Sequence, residues 1–147
     1  LQTFVPIQEY QIDYYKNKFL KYINPGFIKC VTDENDELVA FAITMPSFSN
    51  ALKKINGKVN FFGKLRLLHA KNFNHKGSLY LIGVRPDFQN KGVIAILFNE
   101  LQKFYNKFGI TEVETNPELI ENTAIQQLWK NYENNQHKNR ATFTKQI

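Results

Sequence analysis

The sequence predicts a single α/β domain (α+β in some schemes), with a central sheet flanked by helices. Three observations support this fold class. The apolar run from Ser78 to Val84 is typical of a buried central strand. A long helix follows, in which apolar residues recur at intervals of three and four from Ile94 to Phe108. Two further apolar segments, 27–32 and 38–45, are separated by the polar residues 33–37 and predict a β-hairpin.

The segments around the hairpin are less regular. Apolar residues spaced three and four apart between Ile12 and Ile23 predict an amphipathic first helix, with Pro6 near its start. Residues 47–76 are ambiguous, because 48–55 resembles a short helix and 62–70 fits either a helix or a strand. The order so far is therefore helix, hairpin, ambiguous segment and central strand.

Three more elements are predicted after the long helix. Gly109 ends that helix, because glycine takes the left-handed conformation without a Cβ penalty. Residues 111–115 predict a short strand, and residues 122–134 predict a helix with Asn122 as its N-cap. The alternation of residues 140–147 predicts a closing strand.

Composition narrows the class of protein. The chain has 147 residues, of which 43% are hydrophobic, and we therefore expect residues 1–147 to form one globular domain. Cys30 is the single cysteine, so a disulfide framework is excluded and a reducing, cytoplasmic location fits. No apolar run has the length of a membrane span and no signal peptide is visible, so we expect no membrane partner. A start at Leu1 is compatible with a domain cut from a longer protein.

Charge is concentrated in the middle of the chain. The net charge is +6, and no Asp or Glu occurs from Leu38 to Pro86. The basic residues of this stretch are Lys53, Lys54, Lys58, Lys64, Arg66, Lys71, Lys76 and Arg85. Such a region favours anionic partners, although a solvated lysine-rich surface would have the same composition.

The junction between the central strand and the long helix carries the chemical signal. The loop Pro86–Lys91 lies at the carboxyl end of the strand, where ligands of α/β sheets bind. The following helix start offers unpaired N–H groups and a partial positive charge, which attract phosphates. Gly92 allows close approach of the backbone, and Lys91 adds a mobile cation. An ordinary strand-to-helix loop, with Gly92 serving geometry alone, remains the alternative reading.

The residues of this junction also form a recognisable pattern. Val84-x-Pro86-x-x-Gln89-x-x-Gly92-x-Ile94 resembles motif A of the GNAT superfamily of N-acetyltransferases. Residues 121–129, with Asn122 at the helix start, resemble motif B of the same superfamily. The order of elements fits along essentially the whole chain. More narrowly, the chain resembles the C-terminal acetyltransferase-like domain of a bacterial family that has two such domains.

The resemblance implies a mixed, largely antiparallel sheet and a donor that is acetyl-CoA or another acyl-CoA. In the superfamily, the central strand offers backbone groups to the pantetheine arm, and amides of the loop and helix start bind the pyrophosphate. The residues that the resemblance assigns to this cofactor are Ile82, Val84, Gln89, Asn90, Lys91, Gly92, Val93, Ile94 and Asn122. Ile94 departs from the pattern, which has Gly or Ala at its position.

The resemblance also implies direct attack of an amine on a thioester, which requires a base for the amine proton. Glu112 and Glu114 alternate with Val113 on the predicted strand, and Glu114, nearer its carboxyl end, is the predicted base. Trp129 stands where the family often has a Tyr that protonates the thiolate, and indole is not a useful acid. Tyr132, three residues later, is the predicted replacement. No His or Cys spacing indicates a metal site.

Three functions are compatible with these features. The first is an acyl-CoA-dependent N-acyltransferase with a small-molecule or peptide amine as acceptor, with or without an N-terminal acetyltransferase-like domain of the same protein. The second is a catalytically degenerate cofactor-binding or interaction domain, for which the departures at Ile94 and Trp129 argue. The third is a module that uses an aminoacyl-tRNA donor, which only the acid-free stretch supports, so nucleic acid is the least favoured partner.

Overall fold

The structure is a computed structural model that describes residues 7–18 and 24–145. Its contacts divide the chain into two compact units, Leu1–Glu114 and Thr115–Ile147, and we describe each unit by itself. The prediction of a single domain over residues 1–147 stays a prediction.

The first unit contains the sheet and most of the helices. Its elements, in order, are α1 (Glu9–Lys18), β1 (Ile28–Thr32), β2 (Leu38–Pro46), α2 (Ser49–Lys54), α3 (Phe61–Asn72), β3 (Lys76–Val84), α4 (Val93–Phe108) and β4 (Glu112–Thr115). The four strands lie in the order β1-β2-β3-β4, and β2 pairs antiparallel with both β1 and β3. The predicted fold class, a mostly antiparallel sheet with flanking helices, is thereby confirmed.

One β-bulge alters the central strand. The register of β2 and β3 shifts between Ile43 and Thr44, which lie opposite Leu81 and Leu79, so Tyr80 is an extra residue in β3. An extra residue changes the face to which the following side chains point. Leu79 is buried, whereas Tyr80 and Leu81 are 41% and 49% exposed. The predicted continuously buried strand is therefore wrong at these two residues, because periodicity cannot show a bulge.

Helix α4 contributes several of the buried residues in the core of the first unit. Leu97 and Leu101 of α4 are each 1% exposed and belong to the buried apolar core. Phe27, also 1% exposed, packs edge to face on Phe104 at 4.9 Å between ring centroids. The Thr44 hydroxyl, buried in β2, donates to the Phe27 carbonyl at 2.8 Å, so this polar group is satisfied. Because α4 packs on this buried core, its N-terminal end is fixed relative to the sheet.

Several predicted boundaries need correction. α1 covers Glu9–Lys18 of the first predicted helix, and the predicted positions Pro6, Phe19 and Ile23 lie outside the described residues. The ambiguous segment is helical in both places, as α2 and α3. Among the described residues no helix is long and apolar enough to cross a membrane.

The second unit has less regular structure than predicted. Its one described helix, α5 (Thr123–Trp129), ends five residues before the predicted boundary at Asn134. The predicted closing strand at 140–147 is wrong for residues 140–145, which form no strand. Alternation of apolar and polar residues is a weak signal when no neighbouring strand is available for pairing.

Candidate cofactor site

The loop between β3 and α4 has an unusual backbone. A short 3-10 turn covers Pro86–Phe88, and Gln89 is extended with φ −65° and ψ 147°. Asn90 follows at φ 61° and Gly92 at φ 76°, both in the left-handed region. Asparagine and glycine are the residues that enter this region most readily, so the local sequence favours the observed turn.

This backbone leaves a row of amides available. None of the N–H groups of residues 90–94 donates a hydrogen bond of ordinary geometry to any residue in the described ranges. The Gln89 amide is used within the turn, where it donates to the Pro86 carbonyl at 3.3 Å. Helix α4 has 16 residues, and its dipole adds a partial positive charge at the same place. Successive free amides at a helix start form a concavity that binds phosphate.

The side chains of this loop leave the amides accessible. Asn90, Lys91 and Gly92 are exposed, whereas Val93 is buried and belongs to the core. A Cβ at Gly92 would meet no atom within 4 Å, so glycine is needed there for its positive φ rather than for lack of space. Ile94 is half-buried while its amide remains available. The branched side chain at Ile94 therefore does not by itself remove the amide donor.

Arg85 and Lys91 have different electrostatic surroundings. The Arg85 guanidinium pairs with Asp87 at 2.9 Å, Asp33 at 3.2 Å and Glu37 at 3.3 Å, which neutralises it and ties the β1–β2 turn to the loop. Lys91 has no acidic partner among the described residues, and its Nζ lies 5.1 Å from the centroid of the Phe88 ring. Lys91 is therefore the loop's available cation for a phosphate.

The carboxylate of Asp33, in the β1–β2 turn, is expected to make the stability of the domain depend on pH. The backbone N–H of Glu37, then that of Asn35 and the Arg85 guanidinium, hold the pKa of Asp33 below its ordinary value of 3.8. A lowered pKa contributes stability that is present above the ordinary pKa and is lost as the pH falls through the lowered one. We therefore expect acid unfolding of Asp33→Asn to depend less on pH below about pH 4 than that of the natural chain.

Denaturant unfolding at several acidic pH values measures this difference. Glu34→Gln is the control, because Glu34 is exposed in the same turn and forms no ion pair within the described ranges. If both variants follow the natural chain, the Asp33 contacts do not contribute to stability.

The carboxyl end of β3 carries the residues predicted to meet the pantetheine arm. Ile82 and Val84 are half-buried and lie opposite Ala42 and Ala40 of β2. β4 has four residues beside the nine of β3, and the amides of Thr111 and Glu112 donate to the His75 carbonyl at the start of β3. A strand of four residues cannot pair with all nine residues of β3, and the contact of Ile82 and Val84 with the pantetheine arm stays a prediction.

The two carboxylates of β4 are not equivalent. Glu112 is exposed and forms an ion pair with Lys76, whose hydrogen bond and charge lower the pKa of Glu112. Glu114 is half-buried. The ion pair with Lys76 makes Glu112 a weaker base than an ordinary glutamate, and Glu114 stays the predicted base.

The second unit contains the remaining predicted residues. Asn122 is the N-cap residue of α5, as predicted, although its side chain makes no capping hydrogen bond. The Trp129 indole donates to both carboxylate oxygens of Glu118, at 2.8 and 3.0 Å. Tyr132 lies beyond the helix end, so a shared helix face does not explain its position; its ring nevertheless packs edge to face on Trp129 at 6.3 Å. The roles of Asn122 and Tyr132 stay predictions.

Comparison with known proteins identifies the family. Residues 2–132 match the sequence model of the acetyltransferase (GNAT) family. The chain belongs to this GNAT family. The match covers both the β3–loop–α4 junction and α5, so it includes both motifs from which the sequence resemblance was inferred. No protein of curated function matches the sequence.

Solved structures share the GNAT fold at low identity. The apo aminoglycoside 6'-N-acetyltransferase AAC(6')-Ig from Acinetobacter haemolyticus is 14% identical, with a TM-score of 0.58 over 97% of this chain and 85% of its own. AAC(6')-Iy in complex with the bisubstrate analogue CoA-S-monomethyl-acetylneamine is 15% identical, with a TM-score of 0.58 over 99% and 86%. A ribosomal-protein-alanine N-acetyltransferase from Brucella melitensis biovar Abortus 2308 is 14% identical, with a TM-score of 0.52 over 89% and 80%.

Sequence reasoning missed two features of the loop. It gave no role to Phe88, whose ring lies 4.5 Å from the Arg85 guanidinium carbon and 5.1 Å from Lys91 Nζ. It also did not foresee that Asn90 takes a positive φ, although an Asn two residues before a Gly is a usable signal. Both features shape the turn that frees the amides.

Proposed function

We propose that this GNAT domain is an N-acyltransferase that takes its acyl group from acetyl-CoA. The observation that supports this most strongly is the row of available amides from Asn90 to Ile94 at the start of a 16-residue helix. A pyrophosphate carries negative charge on several oxygens, and backbone donors with a helix dipole match it. Lys91 adds a cation beside these donors.

The acceptor is proposed as a small-molecule or peptide amine. Solved structures with the same fold are described as acetyltransferases of aminoglycosides and of a ribosomal-protein alanine, and all of these acceptors are amines. The amine must lose a proton as it attacks the thioester, and we propose that the Glu114 carboxylate takes it. The acyl donor supplies the activated carbonyl, and the leaving thiolate takes up a proton.

The test is acetyl-CoA binding followed by turnover. A ligand present at 100 times its dissociation constant stabilises the native state by roughly 2.7 kcal/mol, which shifts the melting temperature by several degrees. Release of the CoA thiol is then measured against a panel of aminoglycosides, polyamines, amino acids and peptides.

Each outcome has a separate meaning. A thermal shift with thiol release for one acceptor class supports the proposal. A shift without release from any amine would contradict the enzymatic part and favour the catalytically degenerate cofactor-binding domain. The absence of both would contradict the cofactor site itself.

A further inference from the structure

Residues 47–75 connect β2 to β3 and are far more than this connection requires. We call this segment the α2–α3 excursion. β2 and β3 are antiparallel neighbours, and such strands can be joined by a two-residue turn. Here the chain instead forms α2 and α3 between them. Long connections of this kind within a compact domain are usually functional.

Helix α3 presents large apolar side chains to solvent. Phe61, Leu65 and Leu68, spaced four and three apart, lie on one helical face together with the adjacent Phe62. Their exposed fractions are 70%, 50%, 56% and 73% in the order Phe61, Leu65, Leu68 and Phe62. We call these four residues the α3 apolar face. Large exposed apolar side chains grouped on one helical face are typical of an interaction surface.

Cations flank this face on both sides. Lys64 and Lys71, seven residues apart, lie along one edge of the α3 apolar face, and Arg66 lies along the other. The ion pairs of the described residues involve Lys76, Arg85 and Lys103 only. The cations beside the α3 apolar face therefore have no carboxylate partner in the part of the chain that the structure describes.

A cavity joins the charged and apolar parts. It is an open groove of about 580 Å³ between α2 and α3 with a mainly apolar surface, and its lining residues include Lys54, Lys58 and Arg66 together with Phe62 and Leu65. No acidic residue lines it. If the anionic group of an amphipathic ligand binds among these cations, the apolar part of the same ligand lies against the α3 apolar face.

We propose that the α2–α3 excursion docks this protein onto membranes that contain anionic phospholipids. The headgroup phosphate binds among the cavity cations, and the α3 apolar face enters the boundary between headgroups and acyl chains. Exposed Phe and Leu with flanking Lys and Arg is the pattern of helices that lie in a membrane interface. The expectation of no membrane partner rested on the absence of a spanning run, which does not exclude binding at the surface.

Two other occupants fit the surface less well. A symmetric dimer through this patch would bring the same unpaired cations against each other, and like charges repel. Nucleic acid would meet the cations and could stack bases on Phe61 and Phe62, but it would leave the exposed aliphatic Leu65 and Leu68 without an apolar partner.

The test is co-sedimentation of the full chain with vesicles of phosphatidylcholine, alone and mixed with phosphatidylglycerol. We expect binding only to the anionic mixture, weakened by salt. Lys64→Gln/Lys71→Gln is expected to bind about thirtyfold more weakly, from the contribution of each cation at an anionic surface. Phe61→Ser/Phe62→Ser is expected to lose measurable binding.

Matched variants separate these effects from general loss of charge or apolar surface. Lys16→Gln/Lys107→Gln removes two exposed lysines, and Tyr10→Ser/Ile96→Ser removes two side chains that are 73% and 56% exposed, all outside the excursion. Both are expected to bind like the natural chain, and all variants to melt as it does.

Several results would overturn the proposal. These are no binding to anionic vesicles, equal binding to phosphatidylcholine alone, or equal loss in the matched variants. Sedimentation of the free protein adds one more test. If Phe61→Ser/Phe62→Ser converts a dimer into a monomer, the occupant of the face is a second copy. None of these measurements uses acetyl-CoA. A negative result for vesicle binding is therefore distinct from a negative result for the proposed acyltransferase activity.

Discussion

Gly92→Val is expected to weaken acetyl-CoA binding at least about a hundredfold while the domain stays folded. Gly92 has φ 76°, and a side chain there would project into open space beside the available amides. Valine at a positive φ is strained by roughly 1–2 kcal/mol, so the turn that presents the amides would also rearrange. A hydrogen bond to a charged group contributes about 1.5–3 kcal/mol, so losing two weakens binding on the order of a hundredfold or more.

Gly109→Val is the matched control for this experiment. Gly109 lies at the other end of α4 with φ 69°, and a Cβ there would also meet nothing within 4 Å. The two variants should lose similar amounts of stability in denaturant unfolding, since the backbone strain is the same. Only Gly92→Val should lose binding by calorimetry. Equal affinity in both variants would place the cofactor away from the β3–α4 loop.

Glu114→Gln is expected to lower kcat by about a hundredfold, the lower end of the range for a general base. Glutamine keeps the size and shape of the side chain but cannot take up the proton of the attacking amine. Acetyl-CoA affinity should be unchanged, because the proposed pyrophosphate donors belong to residues 90–94. The acidic limb of the pH–rate profile should disappear with the carboxylate.

Glu112→Gln makes the same chemical change two residues away. The ion pair of Glu112 with Lys76 lowers its pKa, which makes it a poor proton acceptor near neutral pH. We therefore expect this variant to keep nearly full activity with the best acceptor of the amine panel. A larger loss in Glu112→Gln than in Glu114→Gln, or an unchanged pH profile in Glu114→Gln, would contradict the assignment of the base.

Patterns of residues close together in the sequence were sufficient to predict the loop and the helix of the β3–loop–α4 junction. A long amphipathic repeat predicts α4 because one face of a helix must be buried, and Leu97 and Leu101 on that face are each 1% exposed. Gly92 and Gly109 mark the ends of the helix because only glycine enters the left-handed region freely. The same residues carried motif A of the family resemblance, so the predicted cofactor loop came from one short stretch of sequence, whereas the fold class also depended on the hairpin at 27–45.

Weak or non-local signals explain the elements that were predicted incorrectly. The predicted helix at 122–134 and the predicted strand at 140–147 had no strong apolar repeat, and propensity alone does not determine such elements. The choice between helix and strand at 62–70 was also open, because its apolar residues face solvent rather than a core. The spacing of apolar residues along a segment does not show whether their side chains pack in the core or lie on a surface that binds a partner.

The sequence by itself determined the class of fold, the helix that builds the core and the glycine that opens its N-terminus, because each depends on residues close together in the chain. Only the tertiary structure decided the bulge at Tyr80, the neutralisation of Arg85 by Asp33 and Glu37, and the ion pair of Glu112 with Lys76. These depend on contacts between distant segments, such as the β1–β2 turn and the β3–α4 loop. Exposure of the α3 apolar face belongs to the same group, since solvent accessibility is a property of the packed chain.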